Sequence, residues 1–530
     1  MKKTYIDTAM ERIAPDLILK GGNVVDVFSG RVIKADVIIK DGIICGVGSY
    51  SGENEQDVSG KYVMPGFIDS HVHIESSMTQ PSEYAKAVMP HGITTVIADP
   101  HEITNVCGED GLEFMLKSAK NIPLDVNLML PSCVPATPFE HTGANLDAKT
   151  TQKLAPKFFG IGEMMNYPGI VSGDDETLGK LCLDIIDGHA PLLSGHELDA
   201  YTSAGIKTDH ECSVVEEMTE KISKGMYILL REGTLSLDVA KLIKGVTPYT
   251  LRRCAFCTDD RFVGEIIRDG SIDHCIRKAV SLGLNNIDAI IMATLNACEM
   301  YGMKNKGAIA PSYVADIVVA DDLNLSSISQ VYKNGKLVCE NGTALFECET
   351  VYNSKVTNTV HLPKISADFF KTDVKDKFDA IELIPESIIT KKVTVSYSDS
   401  LSKVCVIERH HNLGTKGIGF VTNYGITNGA IATSIGHDSH NVIVIGDNDS
   451  DMALAVNTLG TSGGIAVCSE GKVIASMTLD IAGLMSVKSA DEVTREHDNL
   501  YSAAKVLNIT DKIDPFLSLA FLPLPVIPEV

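Results

Sequence analysis

The sequence contains no tryptophan, few aromatic residues of any kind (6%), and fewer basic residues than acidic ones, 46 against 69. Its longest apolar stretch, Phe516 to Ile527, is short and interrupted by prolines, and the N-terminal residues lack the apolar segment of a signal peptide. The net charge of −23 repels phosphate groups, which argues against binding to nucleic acid or to an anionic membrane. We therefore expect a soluble, cytoplasmic protein with no nucleic-acid or membrane partner.

Cysteines are present, but their arrangement argues against disulfides. There are thirteen, an odd number, and they stand among apolar neighbours, as at Cys45 and Cys405. This pattern is typical of buried thiols in a reducing compartment. The 530 residues, of which 44% are hydrophobic and 22% charged, indicate a globular protein of about two to four domains.

Two distant segments share a pattern of short strands and tight turns. The first lies before residue 65 and includes a hairpin pattern over residues 39–44, with Asp41-Gly42 at the turn. The second covers residues 305–350 and repeats strand, turn and strand. We expect residues 1–64 and 305–350 to form one small β-sandwich domain that is built from both flanks of the intervening segment.

The intervening segment contains short apolar runs, each followed by a helix-like stretch. There are eight of them: Phe67–Glu75, Thr94–Pro100, Asp125–Pro131, Phe158–Asn166, Leu183–His189, Gly205–Glu211, Met226–Gly233 and Cys254–Asp260. Their starts are 21 to 33 residues apart, which is the length of one strand-plus-helix unit. The pattern predicts an α/β fold, a (β/α)8 TIM-like barrel over residues 65–304, with a doubly wound parallel sheet as the alternative.

Ionisable residues stand at the ends of most of these runs. In a parallel barrel the strand ends converge on one mouth, where chemistry collects. His71 and His73 are two residues apart on a strand, so both side chains face the same way and can bind one ion. Zinc, manganese and iron all accept imidazole and carboxylate ligands.

The later runs supply more ligands than one tetrahedral ion needs, which favours two ions. Glu163 would bridge them, and His189 and His210 would complete the second ion. Asp259 would complete the first. Asp260 is adjacent to it, and strand alternation lets only one of the two face the mouth.

Several motifs carry a family resemblance. Residues 63–73, VMPGFIDSHVH, resemble the first barrel strand of the amidohydrolase superfamily, and residues 307–319 resemble its return into the β domain. The motifs DPHE (99–102), DGHAP (187–191), TDHE (208–211) and LREG (230–233) resemble the bacterial adenine deaminases. So do GTKGIGF (414–420) and HDSHN (437–441) in the C-terminal third, so that the resemblance spans nearly the whole chain.

The resemblance implies hydrolytic deamination of adenine to hypoxanthine and ammonia at two divalent metal ions, most often manganese or iron, with zinc as a third choice. Many members of the superfamily bridge their metals with a carboxylated lysine on the fourth strand, but here that strand carries Glu163. No dependence on carbon dioxide is therefore expected. Two cations would lower the pKa of a shared water from 15.7 towards about 7, and the hydroxide would attack C6 of the purine. Glu163 and Asp259 are the predicted catalytic residues, with Asp259 carrying a proton to the leaving ammonia.

Further polar residues at the mouth are candidates for binding the base. They are His101, Glu102, Glu211, Arg231, Glu232, His437 and Asp438. A carboxylate and a guanidinium suit the edge of adenine, which offers both donors and acceptors. Arg231 and Glu232 could equally pair with other residues of the mouth.

Residues 351–530 form a predicted C-terminal α+β domain with a dense polar set. This set comprises Arg409, His410, His411, His437, Asp438 and His440, whose ligand types would allow a further metal site. The alternative is that these residues cap turns. We prefer the hypothesis that the loop over residues 437–441 lies near the barrel mouth and helps to close it over the substrate.

Two other functions remain open at this point. A related amidohydrolase could open a cyclic amide, as a dihydropyrimidinase does, and this reaction would release no ammonia. A non-catalytic barrel would have lost its ligands, whereas all six are present. We also expect the protein to be a homo-oligomer.

Overall fold

The structure, a computed structural model, describes residues 2–373, 377–385, 390–396 and 401–525. It opens with α1 (Lys2–Ala9), β1 (Leu17–Asp26), β2 (Arg31–Lys40), β3 (Ile43–Gly48), β4 (Glu55–Asp57) and β5 (Tyr62–Pro65). Strands β2 and β3 pair as an antiparallel hairpin in which Lys40 faces Ile43. Asp41 and Gly42 adopt φ values of 49° and 76° at the turn, as a two-residue turn with two positive φ angles requires.

The next eight strands run parallel and form the barrel. They are β6 (Phe67–Val72), β7 (Ile93–Ala98), β8 (Asp125–Leu130), β9 (Gly160–Met164), β10 (Ile186–Gly188), β11 (Thr208–Asp209), β12 (Tyr227–Arg231) and β13 (Cys254–Cys257). Hydrogen bonds join β6 to β10 in one arc and β11 to β13 in another. The arcs meet at a parallel bridge between Val72 and Asp259, and again where the Lys207 amide donates to the Ile186 carbonyl (3.5 Å). The chain therefore has a TIM-barrel-like fold, and each strand overlaps one of the predicted runs, with β7 beginning one residue before its run.

Short helices follow the strands and surround the barrel. They are α2 (Pro81–Val88), α3 (His101–Ser118), α4 (Ala148–Leu154), α5 (Tyr167–Ser172), α6 (Asp175–Gly179), α7 (Gly195–Ser203), α8 (Val215–Ser223), α9 (Val239–Leu242), α10 (Val263–Asp269), α11 (Ile272–Ser281), α12 (Asn286–Met292) and α13 (Leu295–Met300). Helix α3 begins directly at the barrel mouth, so its first turn carries His101 and Glu102 into the site.

After the barrel the chain returns to the first sheet through β14 (Ile317–Ala320), β15 (Ile328–Lys333), β16 (Lys336–Glu340) and β17 (Thr343–Ala344). Strand β14 pairs antiparallel with β5, with Ile317 opposite Pro65. Both flanks of the barrel thus contribute to one sheet. Within the described residues its order is β17-β16-β15-β14-β5-β1-β2-β3, with β4 beside β1.

The last part of the chain forms a further sheet with helices. Its strands are β18 (Lys377–Leu383), β19 (Thr390–Ser396), β20 (Ser402–Ile407), β21 (Lys416–Thr422), β22 (Gly429–Thr433), β23 (Val442–Gly446), β24 (Gly464–Ser469) and β25 (Lys472–Thr478), and its helices are α14 (Asp449–Thr458), α15 (Ala490–Ala504) and α16 (Leu517–Phe521). Residues 391–398 alternate in polarity as a strand does, and β19 covers them as far as Ser396; residues 397 and 398 lie outside the described residues. Helix α15 packs on α10 of the barrel, where the His497 ring lies 3.7 Å from that of Phe262.

Two further features concern the lengths of the helices and the pairing of the cysteines. Among the described residues there is no helix whose length and hydropathy would suit a membrane span. The thirteen cysteines are all unpaired, and most are buried, including Cys254 and Cys257 of β13.

Candidate active site

His71 and His73 lie at the end of β6 with both rings buried in the barrel mouth. Their Nε2 atoms are 3.2 Å apart, and the residues are 0% and 3% exposed. Nδ1 of His73 lies 2.9 Å from the carbonyl oxygen of Asp99. Because that carbonyl accepts a hydrogen bond from Nδ1, Nε2 is left with a free lone pair for a metal ion.

Glu163, at the end of β9, lies at the centre of the histidine cluster. Its Oε1 is 3.4 Å from Nε2 of His73, on one side. Its Oε2 is 2.7 Å from Nδ1 of His189 and 3.1 Å from Nε2 of His210, on the other. One carboxylate therefore contacts both histidine groups, which is the geometry that a bridging ligand needs.

Asp259 completes the cluster from the strand that closes the barrel. The amide of Asp259 donates to the carbonyl of His71, and this bond joins the ends of β6 and β13. Oδ1 of Asp259 lies 3.1 Å from Nε2 of His73 and 3.6 Å from Nε2 of His71. The ring of His210 stacks on that of His71 with centroids 4.1 Å apart. All six predicted ligands therefore converge on one site.

The donor set fits divalent transition ions. Three overlapping groups have ligand atoms within 4.8 Å of one another: His71, His73 and Glu163; His71, His210 and Asp259; Glu163, His189 and His210. Nε2 of His210 is buried without a hydrogen-bond partner among the described residues, although Oε2 of Glu163 is only 3.1 Å away. A buried nitrogen that approaches a carboxylate without bonding to it suits two atoms that coordinate one ion. The structure thus contains candidate sites for divalent metals, made of imidazole and carboxylate donors.

Arg231, at the end of β12, sets the charge of Asp259. Its Nη1 lies 2.7 Å from Oδ2 of Asp259, and its guanidinium also bonds Glu211 and Asp238. Burial alone would raise the pKa of Asp259, but Arg231 and His73 outweigh it and hold that pKa well below its usual range. Asp259 is therefore ionised at neutral pH, with Oδ1 free to face the histidines.

The remaining predicted residues divide into two groups. Glu232 does not line the cleft, because its carboxylate pairs with Lys278. The other six predicted residues line the cleft, which has a volume of about 490 Å³ including space open to solvent. The residues that line the cleft are His73, His101, Glu102, Glu163, Met165, His189, His210, Glu211, Arg231, Ser236, Asp259, Asp260, His437, Asp438, Phe521 and Leu524.

Two family models match the chain, the amidohydrolase family over residues 62–338 and the adenine deaminase C-terminal domain over residues 383–530. An adenine deaminase of Clostridium acetobutylicum is 46% identical, with 99% of this chain and 96% of the relative covered. Those of Nitratidesulfovibrio vulgaris and Halalkalibacterium halodurans are 44% and 43% identical, over 99% and 97% of this chain and 95% and 92% of their own lengths. The chain belongs to the adenine deaminase family of amidohydrolases.

The part that matches the adenine deaminase C-terminal domain brings a loop to the barrel mouth. Asp438 Oδ1 lies 4.0 Å from Nε2 of His101, and His437 stacks on Phe521 with ring centroids 4.4 Å apart. His410 Nε2 lies 2.7 Å from the carbonyl of Ser439 and fixes the loop backbone.

The polar residues of this domain mostly hold the loop in place. The Arg409 Nε–H donates to the carbonyl of His440, and Nε2 of His411 lies 3.0 Å from the carbonyl of Thr142 in the barrel. The side-chain amide of Asn441 donates to the carbonyl of His141 (2.9 Å). Arg409, His410 and His411 therefore bond backbone carbonyls, which is a structural use of side chains whose types alone would also suit a metal.

Sequence reasoning missed two residues that support the ligands in this member of the adenine deaminase family. The Asp99 carboxylate accepts the amide of Glu163 (2.9 Å), and burial together with the charge of Glu163 raises the pKa of Asp99 to about 7. Asp99 ends an apolar run, so its position was a usable signal. Lys221, fully buried on α8, bonds Asp209 beside His210, and no sequence signal marks a helix lysine as buried.

Proposed function

We propose that this cleft hydrolyses adenine to hypoxanthine and ammonia. The observation that carries the proposal is the position of Glu163 between His73 on one side and His189 and His210 on the other. Near-full-length relatives named adenine deaminase support the choice of substrate.

Two divalent ions would be held by His71, His73, Glu163, His189, His210 and Asp259, with manganese or iron favoured over zinc. Ions bound there supply Lewis acidity, which lowers the pKa of a water in the cleft towards about 7. Asp259 then acts as the proton carrier. Its carboxylate accepts the proton that the attacking water loses as the water oxygen bonds to C6, and delivers that proton to the 6-amino nitrogen. The C6–N bond then breaks, ammonia leaves, and the oxygen stays on the purine, which is hypoxanthine.

The base is read by residues that line the cleft and have free polar atoms. Burial and the charge of His73 lower the pKa of His101 to about 4, so His101 is a neutral imidazole whose nitrogens can donate or accept. Its Nδ1 has no hydrogen-bond partner among the described residues. Asp438, from the C-terminal loop, has an unpartnered buried Oδ2 and offers an acceptor for an N–H of the purine. Glu211 and Arg231 bind each other and shape the wall.

The domain boundaries are residues 1–64 plus 305–350, 65–304 and 351–530, and the loop at 437–441 closes the site over the base. We propose further that the enzyme acts on the free base in the cytoplasm as a homo-oligomer. The net charge of −23 supports the absence of nucleic-acid and membrane partners.

The test combines metal analysis with product analysis on protein purified without chelator. We expect transition ions in the active protein, and one ammonia and one hypoxanthine for each adenine consumed. Ring opening of a dihydropyrimidine without ammonia release would favour the cyclic amide alternative. Inactivity on both substrates in metal-loaded protein would favour a non-catalytic barrel.

A further inference from the structure

A second group of ligand-type side chains lies where the C-terminal domain meets the barrel. Glu102, His437 and His440 have ligand atoms within 4.8 Å of one another. The residues are 2%, 6% and 0% exposed, and Oε1 of Glu102 lies 3.7 Å from Nδ1 of His437. None of the three belongs to the six ligands at the centre of the cleft.

The His440 ring is held in place but has no polar partner. Its amide donates to the carbonyl of Gly436 (2.6 Å), and its own carbonyl accepts from Arg409, so the backbone on both sides of the ring is fixed. Neither Nδ1 nor Nε2 has a hydrogen-bond partner among the described residues. A fully buried imidazole without a partner loses the hydrogen bonds that water would give it, and coordination of an ion would compensate for the loss of one of them.

Two more carboxylates, those of Glu75 and Asp260, lie close to Glu102. The Ser76 hydroxyl lies 3.0 Å from Glu102 and also bonds Asp260, so these two carboxylates share one hydroxyl group. Glu75, 2% exposed, accepts only the amide of Ile103 among the bonds described. In the part of the chain that the structure describes, no lysine or arginine forms an ion pair with Glu75, Glu102 or Asp260. The charged partner described for Glu102 is His437, and a divalent cation bound between the two side chains would take its place as the counter-charge of the carboxylate.

We propose that Glu102, His437 and His440 bind a third divalent cation. Two imidazole nitrogens and one carboxylate oxygen form a donor set that zinc, manganese and iron accept, with a fourth position left for water. Glu102 lies in the first turn of α3, whereas His437 and His440 lie in the C-terminal loop. The ion therefore joins the loop to the barrel and fixes the wall of the substrate cleft.

The test counts ions in the full-length protein and locates them. Protein reconstituted with excess Zn²⁺ and then desalted should hold three ions per chain, and His440→Ala should hold two. His410→Ala is the matched control, because this buried histidine also fixes the loop but is no ligand; it should hold three. Crystals of the wild-type protein should give anomalous scattering from zinc between Glu102, His437 and His440.

Two results would overturn the proposal. One is a wild-type protein that saturates at two ions with no anomalous peak at the three side chains. The other is a His440→Ala protein that still binds three. Failure of the proposed function would be recognised separately. It would show as missing anomalous peaks beside Glu163 or as no release of ammonia from adenine, whether or not an ion is bound by Glu102, His437 and His440.

Discussion

Asp259 has three neighbours that together define its role. His73 and His71 lie on its Oδ1 side and Arg231 lies on its Oδ2 side. The arginine keeps the carboxylate ionised in a buried place, where it would otherwise tend to take up a proton. An ionised carboxylate with one oxygen facing the histidines can bind an ion and carry a proton.

Asp259→Asn tests this role. The amide keeps the shape of the side chain but cannot accept a proton, so we expect turnover of adenine to fall by about 10²- to 10⁴-fold while metal remains measurable by mass spectrometry. The matched control is Asp260→Asn, the same change at the adjacent carboxylate, for which we expect a smaller loss. Near-normal turnover in Asp259→Asn would remove the proton-transfer role, and a larger loss in Asp260→Asn would transfer that role to the neighbour.

The convergence of the six candidate ligands could be predicted because each ends an apolar run, and strand ends meet at one mouth. The roles of the other polar residues at the mouth could not be predicted in this way. Glu211 and Glu232 follow similar runs, yet Glu211 lines the cleft and Glu232 pairs with Lys278 outside it. This difference depends on a partner 46 residues later in the chain, which local patterns do not reveal.

Strand β11 shows how elements position the ligands. It contains only Thr208 and Asp209, yet His210 follows it directly. Asp209 Oδ1 lies 3.2 Å from the amide nitrogens of both Ala190 and Glu211 and accepts from each, and Lys221 of α8 bonds both Asp209 and the carbonyl of Ala190. One buried ion pair therefore fixes the backbone beside His189 and around His210, where the strand is too short to do so.

Lys221→Met should weaken both stability and metal binding. It leaves the buried carboxylates of Asp209 and Glu217 without their cation, for which we expect a loss of about 3–5 kcal/mol in the free energy of unfolding. Displacement of His189 and His210 should weaken binding of one ion by about 10- to 100-fold. The control is Lys224→Met, which removes a half-exposed pair with Asp199 and should cost about 1 kcal/mol or less. Wild-type metal affinity in Lys221→Met, measured by competition with a chelating dye, would contradict the positioning role.

At the level of elements, the pattern of apolar runs predicted the barrel strands but not the exact bounds of its elements. Each run overlaps one strand, because burial on both faces of a parallel strand requires continuous apolar sequence. Helix α1 was not predicted, since Lys2–Ala9 has little apolar periodicity and a single buried residue. Strand β1 continues through a register shift between Leu19 and Gly22, although the adjacent Gly21 and Gly22 favour a turn by local pattern.

At the scale of the whole molecule, divalent ions bound at the candidate metal site would contribute to stability as well as to chemistry. Removal of the ions leaves buried imidazoles and carboxylates facing one another without a counter-ion. Ions at about a thousand times their Kd add about 4 kcal/mol to the free energy of unfolding. We expect dialysis against a chelator to abolish deamination and to lower the thermal unfolding temperature, and added Mn²⁺ to restore both. Full activity after complete removal of the ions would contradict the proposed chemistry, and an unchanged unfolding temperature would show that the ions do not stabilise the fold.

The contact between α15 and the barrel makes the stability of the whole chain depend on pH. Burial among Phe262, Tyr501 and Phe516 lowers the pKa of His497 to about 3. In the unfolded chain this histidine has a pKa near 6.5 and binds a proton below that pH, whereas in the folded chain it stays neutral down to about pH 3. Acid therefore favours the unfolded chain. The contribution of the histidine to the free energy of unfolding is complete above pH 6.5 and is lost progressively as the pH falls to about 3. Through this group, acidification from pH 7 to pH 5 should lower the free energy of unfolding by about 2 kcal/mol.

His497→Phe isolates this contribution, because phenylalanine suits the same aromatic cluster and does not titrate. Urea unfolding at pH 7 and at pH 5 should show a loss of stability on acidification that is about 2 kcal/mol smaller in the variant than in the wild-type protein. His196→Phe, at a fully exposed ring, should match the wild-type pH dependence and serves as the control. If His497→Phe loses as much stability as the wild type over this interval, the histidine is not buried in its neutral form, and the packing of α15 on α10 does not set the acid sensitivity of the molecule.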